Sequence, residues 1–259
     1  MERLITICAM MGLTLGISAI GRAGYVIDAD LSDWGVTPFV DWVPDGTADY
    51  TQADDVDLYD AENYREKYDF EALYFDDDVQ SFYFAAVTSY PLGADRSPEP
   101  ALVCGDLGID LDGDFAVSEH GVVTGLEYAV QISWDILGAV LMDPEWSQTV
   151  QKEWPDGWQG SPWRARKGPH TVELGSAAIA IEYYPSMEEG TYILEGAISR
   201  DIFPVAYDRG HSVALHLTHW CGNDSINLTG TVAVPEPATL LIMGVGAYIL
   251  RRLRTRGTP

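Results

Sequence analysis

Residues 81–87 read Ser-Phe-Tyr-Phe-Ala-Ala-Val. This run of aromatic and small apolar side chains alternates with period two, the pattern of a β-strand. The same alternation returns on both sides of it. Residues 126–134 read Leu-Glu-Tyr-Ala-Val-Gln-Ile-Ser-Trp, and in Thr191–Ser199 the side chains Tyr192, Leu194 and Ile198 share one face. In His211–Trp220, Val213, Leu215 and Leu217 face one way while Ser212, His216 and Thr218 face the other. Such spacing predicts half-buried strands. Leu102–Leu111, Val172–Tyr184 and Ile226–Val232 are further strand candidates, and only Asp60–Lys67 and Pro144–Lys152 suit short helices. There is no internal repeat, and no interdomain linker before about Gly230. Many strands separated by Gly, Pro and Asp turns predict an all-β chain with a single jelly-roll-like β-sandwich.

The 259 residues carry 40 acidic side chains against 15 Lys+Arg, a net charge of −25. With 47% hydrophobic residues the chain still has enough apolar material for a core, which excludes an acidic disordered tail. A surface of this sign excludes a nucleic-acid partner, since phosphate binding needs a basic patch. Acidic polysaccharides are poor partners too, unless cations bridge the charges. The balance suits a protein outside the cell, or one that binds cations.

Much of the positive charge lies at the ends. Residues 1–23 have a charged start, an apolar run from Leu4 to Ile20 and then Gly21-Arg22-Ala23. This is the layout of a secretory signal peptide, with a membrane anchor as the alternative. Residues 232–259 contain Val234-Pro235-Glu236-Pro237, an apolar run from Thr239 to Leu250, and then Arg251, Arg252, Arg254 and Arg256. A dozen apolar residues is short for a membrane span, which needs about 20. The arginines would hold the C-terminus in the cytoplasm. Setting aside residues 1–23 and 238–259 removes 6 of 15 basic and 1 of 40 acidic side chains, so the remainder carries 9 against 39, a balance of −30. The body, residues 24–231, is more acidic than the whole chain.

The ordered C-terminal parts resemble the PEP-CTERM sorting signal of Gram-negative-type bacteria. That resemblance implies an exosortase as partner during export, transient anchoring in the inner membrane by a transmembrane sorting helix, and cleavage near Pro235-Glu236-Pro237. The destination it implies is the cell surface or the extracellular matrix. It is silent on the role of the body.

The body resembles the family 9-like carbohydrate-binding modules. Ile27-Asp28-Ala29-Asp30-Leu31-Ser32-Asp33-Trp34 matches their opening "I-D-G-x-L-x-D-W", with Ala29 where the family has Gly. Phe70–Val87 resembles their next strand pair, Gly105–Asp112 their acidic strand, and Tyr192–Phe203 their "E-x-x-I-P" strand and turn, with Ser199 in place of Pro. The resemblance implies a β-sandwich, often with structural calcium and sometimes a sugar site. It favours Asp28, Asp30 and Asp33 as cation ligands.

Asp110-Leu111-Asp112-Gly113-Asp114 sets carboxylates on alternate residues at a strand end, the spacing by which an acidic loop wraps calcium. The sixth and twelfth positions are Phe115 and Gly121, which excludes an EF-hand. An irregular calcium loop and a solvated acidic turn both remain open. Asp76-Asp77-Asp78 reads as a hairpin tip. Trp154, Trp158 and Trp163 fall within ten residues rich in turn formers, followed by Arg164, Arg166 and Lys167. Exposed rings there would stack on sugar faces, with the cations as a patch for an acidic sugar or carboxylate. The alternative is a loop that packs its own tryptophans onto the sandwich. Cys104 and Cys221 form one disulfide in an exported protein, worth roughly 4–5 kcal/mol in the chain-entropy account, or stay as two buried thiols.

The five histidines are scattered, and no nucleophile elbow, zinc-protease motif, phosphate loop or dinucleotide fingerprint occurs. The expectation is therefore a non-enzymatic exported protein with a calcium-stabilised sandwich. The alternative is a carbohydrate-binding module for extracellular polysaccharide, with a glycosidase a distant third.

Overall fold

The computed structural model describes residues 24–37, 50–53, 70–89, 104–118, 122–132, 137–148, 162–185, 190–207, 210–219 and 225–232. The hairpin at the centre of the first sheet is β2 (Phe70–Asp77) and β3 (Ser81–Thr88). It is extended on one side by β1 (Tyr50–Ala53) and on the other by β13 (Thr191–Ser199) and β12 (Ala178–Tyr184), giving the order β1-β2-β3-β13-β12. The second sheet has the order β11-β8-β7-β4-β14-β15. Its strands are β4 (Leu107–Asp110), β7 (Tyr128–Val130), β8 (Ala139–Met142), β11 (Val172–Ser176), β14 (Ser212–Thr218) and β15 (Ser225–Thr231). Every pairing in both sheets is antiparallel. The two sheets pack together, as the alternating sequence predicts for an all-β chain. Between them Phe82 of β3 meets Phe203 edge-on at 5.6 Å, and Phe203 meets Tyr128 of β7 at 5.0 Å. Such T-shaped contacts suit the ring quadrupoles.

Period-two alternation holds along the ladder. Leu73, Ala86 and Leu194 form one cross-strand row and Phe75, Phe84 and Gly196 the next. The expected half-burial does not hold for the central strands. β2 and β3 are buried on both faces, and so is nearly all of β14. The physical reason is that each sheet has a cover over its outer face.

The first cover is the N-terminal segment. Tyr25, Ile27, Leu31, Trp34 and Val36 pack on Ala72, Tyr74, Tyr83, Ala85, Val87 and Ile193. Trp34 is fully buried, worth about 4 kcal/mol on area alone. Glu195 of β13 fixes the segment. Its Oε1 accepts from Trp34 Nε1 at 2.9 Å, and its Oε2 accepts from the backbone N–H groups of Asp28 and Ala29, both at 2.9 Å. Burial raises the Glu195 pKa, and these three donors pull it back down. Ala29 adopts φ 63°, the left-handed region where Gly is at ease, which accounts for the Gly of the resembled motif.

The second cover is a ribbon of β9 (Glu145–Ser147) and β10 (Arg164–Arg166), with Ala165 and Trp146 packed on Ala129 and Leu141. Asp106, fully buried, is its anchor. The carboxylate accepts from Ile132 N at 2.8 Å and Ala165 N at 2.9 Å, while Asp106 N donates to Trp163 O at 2.8 Å. Beside it, His216 Nε2 is 3.0 Å from the Pro162 carbonyl and Nδ1 is 2.7 Å from the Asn227 amide. Burial lowers the His216 pKa, while its contacts with the Asn227 amide oxygen and the Pro162 carbonyl work the other way. A carbonyl only accepts, so Nε2 donates to Pro162.

Two sequence expectations change. Pro144–Lys152 does not start a helix, because Glu145–Ser147 is strand β9 paired with β10. Val172–Tyr184 is two strands in different sheets, broken at Ala177, whose N–H donates to Gly138 O at 2.7 Å. Asp76–Asp78 does lie at a hairpin tip, where Asp78 Oδ1 accepts from Gln80 N and Ser81 N. Among the described residues no helix is long and apolar enough to cross a membrane. The signal peptide, Asp60–Lys67, the sorting motif Val234–Pro237 and the arginines 251, 252 and 254 lie outside the described residues. Cys104 is buried and bridges to His219, while Cys221 lies outside, so the expected pair is not seen as a whole.

Replacing Glu195 by Ala strands two buried donors, Trp34 Nε1 and Ala29 N, each costing about 1 kcal/mol or more, and frees the part-buried Asp28 N. Urea denaturation should therefore show Glu195→Ala less stable by at least about 2 kcal/mol. An effect below about 1 kcal/mol would mean that the N-terminal cover is held by packing alone.

Candidate metal centre

β4 pairs with β7 through Leu107↔Val130, Gly108↔Ala129 and Ile109↔Tyr128. Continuing that register by one residue sets Asp110 opposite Glu127, two acids side by side where like charges repel. The chain then turns through residues 111–115 and enters a short ribbon of β5 (Ala116–Val117) and β6 (Val123–Thr124). The turn is tied by Asp110. Its Oδ1 accepts from Asp112 N and Gly113 N, both at 2.8 Å, and its Oδ2 accepts from Phe115 N at 3.0 Å. Asp112 Oδ1 in turn accepts from Asp114 N at 3.2 Å. Gly125, at φ 79°, leaves room for Asp114, since a Cβ there would come within 2.2 Å of the Asp114 carboxylate.

These constraints bring one carboxylate oxygen each of Asp110, Asp112, Asp114 and Glu127 within 4.8 Å of one another. The four form an acidic cluster able to hold a metal ion. Asp110 is buried, Glu127 half-buried, and Asp112 and Asp114 reach solvent. At Glu127, Oε1 accepts from Leu111 N at 2.7 Å, whereas Oε2 is buried with no hydrogen-bond partner. Burial pushes the Glu127 carboxyl up to about 7, with the Asp110 and Asp112 charges adding to the rise. The Asp112 charge is the main cause of the raised Asp114 pKa. By lone-pair count, Asp110 Oδ1 is filled by its two donors, so Oδ2 is the atom left for a cation.

The remaining sequence candidates fall elsewhere. Asp28 and Asp30 do not join an acidic cluster of this kind among the described residues. They serve the backbone: Asp28 Oδ1 accepts from Asp30 N at 3.0 Å, and Asp30 Oδ1 caps the 3₁₀ turn Leu31–Trp34 by accepting from Ser32 N at 3.0 Å. Asp33 accepts from Val26 N at 2.8 Å. Trp163 is 9% exposed, a packed ring and not an open stacking platform. Arg164 lies on β10 with its guanidinium 5.9 Å from that ring. Trp154 and Trp158 lie outside the described residues. Glu127 is the member of the cluster that the sequence reading missed; its one signal is a lone acid at the head of the apolar run Leu126–Val130.

No known family model matches the chain, and no curated protein matches it.

The elevated Glu127 pKa has a definite sign. Between about 4.5 and about 7 the folded state holds a proton that the unfolded state has lost, so raising the pH through this window costs stability. A divalent cation displaces that proton. The calcium-induced rise in Tm over EDTA-treated protein should therefore be larger at pH 8 than at pH 5. In Glu127→Gln it should shrink at pH 8, while the metal-free variant melts no lower than the parent. A Tm unmoved by calcium at pH 8 would remove the site.

Proposed function

We propose that the chain is an exported, exosortase-processed protein of the cell surface or extracellular matrix, with a non-catalytic β-sandwich stabilised by calcium. The observation that carries the calcium reading is Glu127 Oε2, buried without a donor and grouped with three aspartates. A desolvated carboxylate of this kind is costly unless a proton or a cation neutralises it. The all-oxygen donor set is that of a hard cation. Asp110, Asp112, Asp114 and Glu127 would be its ligands, and the ion's role is to tie the turn between β4 and β5 to strand β7.

The export half of the proposal is supported by the apolar N-terminal run and by Val234-Pro235-Glu236-Pro237 with its apolar stretch and arginines. A second reading is a polysaccharide-binding module. It is favoured by Arg164 and Arg166 on β10 and weakened by the packing of Trp163.

Mass spectrometry of the protein recovered from outside the inner membrane should show a chain lacking both residues 1–23 and the segment that follows Pro235-Glu236-Pro237. An exported chain that retains the terminal arginines would remove the exosortase step. Magnesium matching calcium in raising the Tm would remove the assignment of the ion.

A further inference from the structure

Four Lys or Arg side chains occur among the described residues: Arg164, Arg166, Lys167 and Arg200. Arg200 is used inside the fold. Its Nη1 donates to Asp77 Oδ2 at 2.9 Å and to Asp78 O at 3.0 Å, its Nη2 donates to Tyr207 O, and its guanidinium lies 4.5 Å from the Phe82 ring. The other three sit together on β10 and the residue after it. Ala165 points into the sheet and is fully buried, so Arg164 and Arg166 turn to the opposite, outer face of the ribbon. Lys167 pairs with Glu173. Among the described residues neither arginine has a carboxylate at ion-pair distance. Glu145 stands opposite Arg166 in the ladder, but its carboxylate lies against Gly168, where a Cβ would come within 2.3 Å of it. In a chain of net charge −25 this is a cationic strip whose two arginines have no carboxylate partner among the described residues.

We propose that this strip binds the carboxylates of a linear acidic polysaccharide, with Arg164 and Arg166 as the forks. The inference deepens the polysaccharide-binding reading and rests on it. Residues two apart on a strand are about 7 Å apart, so the two guanidinium groups address successive carboxylates along an extended chain. A lone carboxylate at so exposed a site gains little against screening, whereas a repeating polymer offers its groups at high local concentration. The charge of the molecule also selects the shape of the partner. A folded second copy would bring its whole negative surface with any one carboxylate, while a linear polymer lays a few carboxylates on the strip and keeps clear of the acidic remainder. Packing of Arg164 beside Trp163 holds one fork in place before binding.

The test uses the full chain and polygalacturonate, in EDTA so that calcium bridges neither the polymer nor the acidic cluster. Binding should weaken as salt rises above physiological strength. It should fall at least about tenfold in Arg164→Ala/Arg166→Ala with the Tm unchanged, and Arg164→Lys/Arg166→Lys should lie between. If loss of the Trp163 contact upsets the ribbon, Arg166→Ala alone, at an exposed side chain, carries the same test. Undiminished binding by the alanine variants would overturn the assignment to this strip. A neutral glucan bound in preference to polygalacturonate would overturn the acidic ligand and leave the broader polysaccharide reading standing. No binding to either glycan would remove both. A smaller oligomer of the alanine variants in sedimentation without polymer would make the strip a contact between copies, which also overturns the proposal.

Discussion

A carboxylate buried in an apolar sheet needs donors from every side, and Glu195 collects them from a part of the chain far away in sequence. Its three acceptor contacts bind the indole of Trp34 and two backbone N–H groups of the N-terminal segment to the middle of β13. Without that cover the outer face of the first sheet, Ala72, Tyr74, Ala85, Val87 and Ile193, would meet water. The burial of β2 and β3 on both faces follows from the same contact. Asp106 repeats the device on the second sheet, where its carboxylate joins Ile132 to Ala165 and holds the β9–β10 ribbon down. Each cover is thus pinned by an acid whose cost of burial is offset by the donors it gathers.

The acidic cluster of Asp110, Asp112, Asp114 and Glu127 is where that rule is broken. Asp110 is buried like Asp106 and Glu195 and is equally well supplied, with three N–H donors from its own turn. Glu127, one strand away, has a single donor on Oε1 and none on Oε2. The difference sets the electrostatics. Burial raises both carboxyls; three donors oppose the rise at Glu195, while at Glu127 burial, with the Asp110 and Asp112 charges added, pushes the carboxyl up to about 7. Neutral pH therefore lies close to the titration of Glu127, where the group can hold a proton or give it up to a cation. That is a different state from a solvated acidic turn, in which water would satisfy every oxygen.

Period two was enough to read β3, β13, β14 and β15, because their inward side chains are large and their turns are marked. It could not reveal that the outward side chains are buried too. That burial depends on covers whose attachment runs through single acids many residues away. Three-residue strands such as β9 and β10 carry too little pattern to be told from a helix start or a loop; long-range pairing and Asp106 decide them. The two aspartate sets show the same limit. Asp28 and Asp30 have the alternate spacing of Asp110 and Asp112, yet Asp30 caps a 3₁₀ turn and Asp28 accepts from the Asp30 N–H. Only the second set lies across from a neighbouring strand that delivers a fourth acid, and strand register is invisible in local spacing.

The negative charge of the chain consequently has two physical uses. On the surface it keeps the protein solvated. Inside, acids are the side chains best suited to hold irregular covers on sheets. A cover segment has backbone N–H groups that no ladder can accept, and an ionised carboxylate offers about four acceptor sites with no donor of its own. One acid can therefore satisfy donors from unconnected stretches, as Asp106 does for Ile132 and Ala165. Basic side chains do the converse for carbonyls, and Arg200 does so with the oxygens of Asp78 and Tyr207. With N–H groups as the surplus to be accommodated at both covers, a sandwich of this design selects carboxylates for its interior as well as its surface.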